Sequence, residues 1–129
     1  MNELIRRFYE DLWNRWDDTA VDEVLHEGFS FRGSLGTEAF GRDGWREYRD
    51  AVRAGAYDFH NEVITLVIEG RAAAVRLLYK GTHSGPLAGV EPTGRQFSYA
   101  GAAFFTSDGE KLTSAWVLGD LNGLRAQLS

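Results

Sequence analysis

The residues Ala115, Trp116, Val117, Leu118 and Gly119 form an apolar run that closes on a carboxylate, Asp120. Read as a strand, alternate residues share a face. Leu112, Trp116, Leu118 and Asp120 then point one way, and Lys111, Thr113, Ala115 and Val117 the other. The Leu112/Trp116 side is the greasier one, so Asp120 is expected at the apolar end of a sheet face. A carboxyl held in apolar surroundings has its charged form disfavoured, and can give or take a proton near neutral pH. Aspartate is also a preferred helix N-cap, and residues 121–128 read as a short closing helix. The two readings are compatible, and both stand at this point.

Three histidines are the other candidates. His26 is expected at the end of a short helix, in a structural or surface role. His26 and Glu27 begin like a zinc-binding HExxH, but Ser30 stands where the second histidine should be, so that motif is absent. His60 opens one strand and His83 ends the next. Antiparallel pairing would bring the two to one rim, with Asp120 in reach if the sheet order allows. Gly81, Thr82, His83, Ser84 and Gly85 resemble a nucleophile elbow only loosely, because His83 occupies the position that the serine must hold. No phosphate-binding glycine fingerprint is present among the 15 glycines.

Elements able to position these groups follow from periodicity. Glu3 to Trp16 carries Leu4, Ile5, Phe8, Leu12 and Trp13 at helical spacing. Thr19 is read as the cap of a second short helix that Gly28 ends. Phe29 to Phe31 is a short strand, and 33–41 is turn-rich and read as a loop. A third helix starts at Gly41 or Asp43 and runs to Ala54, with Trp45, Tyr48 and Val52 inward. The second half reads as four strands, 57–69, 72–82, 96–106 and 111–119. The second of these alternates, with Ala73, Val75, Leu77 and Tyr79 on one side. Helices followed by consecutive hairpins predict an α+β fold: about three helices packed on a curved antiparallel sheet that forms a cone with one open mouth.

The 129 residues suit a single domain spanning 1–129. Aromatic residues make up 13% of the chain, enough to line a pocket as well as fill a core. Candidate pocket walls are Trp13, Phe31, Trp45, Phe104 and Trp116. The formal net charge is −5 and the pI about 5.1, with no basic cluster. That argues against nucleic acid and anionic membranes as partners. The absence of cysteine excludes disulfides, thiol nucleophiles and cysteine metal sites. No stretch has signal-peptide character or the apolar length of a membrane span, which predicts a cytoplasmic location.

Asp58 to His60, Gly81 to Gly85, the Pro92 to Gly94 loop and Trp116 to Leu128 together resemble the SnoaL-like polyketide cyclases, also called ester cyclases, of the superfamily named after nuclear transport factor two. The resemblance extends to the opening pattern from Phe8 to Trp13. It implies an α+β cone with a deep pocket for a hydrophobic small molecule, in a homodimer or tetramer built through the outer sheet face. It also implies intramolecular aldol ring closure without metal or cofactor, with Asp120 matching the acid/base carboxylate; in a mechanism built on that, His60 and His83 would hold substrate carbonyls or the enolate. Alternatives on the same cone are epoxide hydrolysis, isomerisation, dehydration, or non-catalytic ligand binding or oligomerisation.

Overall fold

The computed structural model describes residues 1–129. Its first helical stretch begins as α1 (Asn2–Arg7) and widens into a π-helical turn over Phe8–Asn14. Ion pairs from Arg6 to Glu3 and Glu10, and from Arg7 to Asp11, line its outer side. The wider winding carries Phe8, Tyr9, Leu12 and Trp13 inward together. A 3-10 turn, Asp18–Ala20, leads into α2 (Val21–Val24). The cap here is Asp17, whose carboxylate accepts the Thr19 N–H at 3.1 Å, rather than Thr19 itself.

The expected second helix therefore ends early. β1 (Leu25–Arg32) starts at Leu25, which places His26 and Gly28 in a strand. Part of the expected loop pairs with β1 as a short strand, β2 (Glu38–Phe40). Next comes α3 (Gly41–Gly55), which buries Trp45, Tyr48 and Val52 as its spacing predicts. β3 (His60–Glu69), β4 (Ala72–Thr82), β5 (Gln96–Ser107) and β6 (Leu112–Gly119) follow, and α4 (Leu121–Leu128) closes the chain.

The six strands form one sheet in the order β2-β1-β6-β5-β4-β3. All neighbours are antiparallel except β1 and β6, which run parallel. The helices lie on the concave face, and 29 buried apolar residues form a single cluster between the layers. Along β4, alternation holds without interruption: Ala73, Val75, Leu77 and Tyr79 are buried. β3 runs past the helices at the sheet edge, and Val63, Ile64, Val67 and Ile68 are all exposed there. No helix is long and apolar enough to cross a membrane.

Candidate functional site: a phenol-lined hollow

β6 does not present the face that its sequence parity predicts. Thr106 pairs with Ser114 and Ser107 with Leu112, so Thr113 is an extra residue that forms a bulge. One extra residue exchanges the two faces beyond it. Leu112 stays inside, yet Ala115 and Val117 are the inward residues after the bulge, and Trp116 and Leu118 stand outside. Asp120 follows the same alternation. A methyl group on Gly119 would stand 2.8 Å from the Ser34 carbonyl oxygen and 3.2 Å from the Tyr99 ring, so Gly119 faces the interior. The Asp120 side chain is correspondingly exposed, and its Oδ1 accepts the Gly123 N–H at 2.9 Å as the N-cap of α4. The expectation of an inward, sheltered Asp120 is corrected on this geometry.

The two histidines are not brought together either. His60 lies opposite Lys80 on β3, and both are exposed. His83 is fully buried on the opposite face. Its Nδ1 accepts the Thr93 N–H at 3.2 Å and lies 3.0 Å from the Thr93 hydroxyl. That pairing leaves Nε2–H to donate to the Val90 carbonyl at 3.1 Å. His83 thus pins the 85–95 loop with both ring nitrogens engaged. Of the expected pocket walls, Phe104 and Trp116 lie on the outer face, their centroids 6.1 Å apart, with the Arg32 guanidinium 4.9 Å from the Trp116 ring. Trp45 is fully buried behind Trp13, edge to face at 5.4 Å. Trp13 and Phe31 do face the hollow inside the cone.

That hollow is lined by Phe8, Tyr9, Trp13, Phe31, Ser34, Tyr48, Val52, Phe59, Asn61, Tyr79 and Val117. Its volume is about 20 Å³, room for about one water molecule. No carboxylate, histidine or basic side chain lines it; its polar groups are hydroxyls and one carboxamide. The Ser34 and Tyr99 hydroxyls lie 2.9 Å apart. The Tyr48 hydroxyl accepts the Leu35 N–H at 3.2 Å. Asn61 is anchored by Asn14: its N–H donates to Asn14 Oδ1 at 2.8 Å, and Asn14 Nδ2 donates back to its carbonyl at 2.9 Å. The Tyr9 hydroxyl is fully buried and makes no hydrogen bond with the protein. Leaving such a group unpaired costs about 1–3 kcal/mol, and tyrosines in apolar sites usually find a partner for the hydroxyl.

Burial pushes the Tyr9 phenol well above its ordinary value. It raises Tyr48 as well, offset in part by the hydrogen bond from the Leu35 N–H and by the nearby Ser34. Tyr79 and Tyr99 are likewise raised by burial, Tyr79 further by the nearby Tyr9, Tyr99 and Tyr48 phenols, and Tyr99 by Tyr48. All four therefore keep their protons through the neutral range and act as hydrogen-bond donors. Donors fixed in an enclosed hollow stabilise negative charge that develops on a bound oxygen. Reading the sequence for carboxylates and histidines passed over these phenols. The signal was available: Tyr48 and Tyr79 fall on stripes whose spacing marks them as inward, and a tyrosine there carries a polar tip into the core.

The sequence profile of the SnoaL-like polyketide cyclases matches residues 3–128. No curated protein matches the chain by sequence. Among solved structures, TsrD from Streptomyces laurentii is similar at 26% identity, with a TM-score of 0.87 over 99% of this chain and 93% of TsrD. IdmH from Streptomyces antibioticus is similar at 26% identity, with a TM-score of 0.85 over 98% and 96% of the two chains. A SnoaL-like polyketide cyclase from Agrobacterium tumefaciens shares the fold at 20% identity, with a TM-score of 0.84 over 99% and 97%.

Proposed function

The chain belongs to the SnoaL-like polyketide cyclase family, and on that premise we propose that its hollow binds a ring-bearing small molecule through a carbonyl or phenolic oxygen. The observation that carries this reading is the unpartnered Tyr9 hydroxyl, buried in a hollow whose other polar groups are neutral donors and acceptors. A ligand oxygen placed there accepts the Tyr9 O–H and lies among the Tyr48 and Tyr79 phenols. The aromatic walls, Trp13, Phe31 and Phe59 among them, take the ring.

In cyclase-type aldol chemistry the same donors would stabilise the enolate oxygen as the ring closes. The hollow supplies no proton acceptor of its own. Asp120 is the nearest candidate in chain terms, one residue beyond Gly119, which packs against the hollow-lining Ser34. To act as the acid/base it would have to leave the cap of α4. The test of the reading is the affinity of 1-tetralone and 1-naphthol against naphthalene. The two oxygenated rings are expected to bind about five- to tenfold tighter, the worth of one net hydrogen bond. Equal affinities for all three would overturn it.

The outer sheet face supports a second element of the reading, pairing between copies of the chain. Phe104, Trp116 and Leu118 are about half exposed there, beside Val67 across a shallow groove. Contiguous exposed apolar surface of this kind marks an interaction site.

A further inference from the structure

We infer that Tyr48 is a movable partition between two compartments of one binding site, and that the groove outside it receives the uncharged or cationic end of the ligand. The inference rests on the ligand-binding reading of the hollow. A hollow of about 20 Å³ cannot take a ring without joining a neighbouring space. One such space is present. A groove of about 580 Å³ runs between β2 with its preceding loop, α3, and the Pro86–Ala88 segment.

Tyr48 and Val52 line the groove on one side and the hollow on the other. A single layer of side chains therefore separates the two. Val52 is β-branched on a helix and held to one rotamer. Tyr48 is held differently. Its ring lies against Gly33, where any side chain would collide: a methyl there would stand 2.0 Å from Cζ. Its hydroxyl is latched by one neutral hydrogen bond, from Leu35 N–H at 3.2 Å. The 33–37 turn that carries the latch is closed by its own bonds, Gly33 N–H to the Thr37 carbonyl at 2.9 Å and Gly36 N–H to the Gly33 carbonyl at 3.0 Å. Breaking the latch thus leaves the turn intact, and the ring is then held only by apolar packing, edge to face on Phe31 at 5.0 Å and on Trp13 at 6.2 Å.

The groove also selects by charge. Glu38 and Glu47 line it, both exposed and neither in an ion pair; no basic side chain lines the groove itself, and Arg32, the cross-strand partner of Glu38, lines the neighbouring depression on the other side of Glu38. An anionic group in the groove meets two like charges, of which only Glu38 has a cation, Arg32, across the strand pair. A neutral or cationic one does not.

The experiment measures association rates of 1-naphthol by stopped-flow fluorescence, with the full chain. Tyr48→Ala is expected to raise the rate constant about tenfold or more, because binding no longer waits on a conformational step. Gly33→Ala forces the ring aside and is expected to raise it similarly, with no further gain in the Gly33→Ala/Tyr48→Ala double variant. Tyr48→Phe keeps the ring and removes the latch. It is expected to quicken association about fivefold, by the worth of one neutral hydrogen bond, and it serves if the alanine variant does not fold. Wild-type rates in the Tyr48 variants that fold would overturn the partition and leave the hollow standing. No binding by any variant, wild type included, would overturn both. For the groove, 1-naphthylmethylamine is expected to bind about tenfold tighter than 1-naphthoate, a gap that closes in Glu38→Gln/Glu47→Gln. Equal affinity of the two in the wild type would overturn the outer compartment.

Discussion

The Asp120 carboxylate accepts the Gly123 N–H at 2.9 Å, and this one bond fixes the side chain over the first turn of α4 rather than toward the hollow. A negative group also suits the helix N-terminus. Asparagine caps about as well as aspartate, whereas alanine does not. Asp120→Asn is therefore expected to keep both stability and affinity for oxygenated ring probes. Asp120→Ala should lose about 1 kcal/mol in denaturant unfolding with the affinity unchanged. A loss of probe binding in the asparagine variant would place the carboxyl in the hollow after all.

Tyr9→Phe should move stability and binding in opposite directions. The buried hydroxyl makes no hydrogen bond with the protein, so removing it relieves a desolvation penalty of up to about 1–3 kcal/mol. The same hydroxyl is the proposed donor to the ligand, so affinity for 1-tetralone should fall about fivefold or more, by the net worth of one hydrogen bond. Thermal unfolding and a binding titration on the same sample read both. A variant that is less stable, or that binds as well as the parent, contradicts the assignment. Functional groups held at a cost to stability behave in this way.

Most of the architecture was legible from periodicity because burial on one face writes its period into the sequence. β4 is read residue for residue, and α3 within a residue at its C-terminal end. The misreadings share a cause. Alternation was carried through β6 from Leu112 to Asp120, and the bulge at Thr113 exchanged the faces midway. No residue type announces that bulge, since it is set by how β6 meets its neighbours. The same error placed Trp116 inside; Phe104, its register partner, stands outside with it. The histidines failed for a different reason. Their shared rim required both to face one way, and the pairing of His60 with Lys80 sends His60 outward while His83 stays inside.

Trp116 should govern self-association. Its ring is exposed beside Phe104 on the outer face, and large aromatic groups dominate the energetics of interfaces. Trp116→Glu is expected to weaken pairing of the chain by about 2 kcal/mol, roughly thirtyfold in Kd. Far-UV circular dichroism should be unchanged, because the side chain is outside the core. Sedimentation velocity over a concentration series measures the shift. A wild-type chain that stays monomeric throughout the series would remove the outer face as a pairing surface.

Alkaline pH should unfold the protein through its core phenols. Tyr9, Tyr48, Tyr79 and Tyr99 are all raised by burial. In the unfolded chain the same groups lose their protons near pH 10. Below that pH both states are protonated and these groups add no pH dependence. Above it the unfolded state binds fewer protons than the folded state, so stability falls as pH rises. Each phenol contributes a slope of up to about 1.4 kcal/mol per pH unit until its folded-state value is passed. Denaturant midpoints should therefore be flat with respect to these groups up to about pH 10 and drop steeply beyond. Phenolate absorbance from the buried tyrosines should rise in step with the loss of ellipticity rather than before it. If that absorbance reached full amplitude while the circular dichroism remained native, the four hydroxyls would have to be open to solvent. The enclosed, donor-lined hollow proposed for ligand recognition would then not exist in solution.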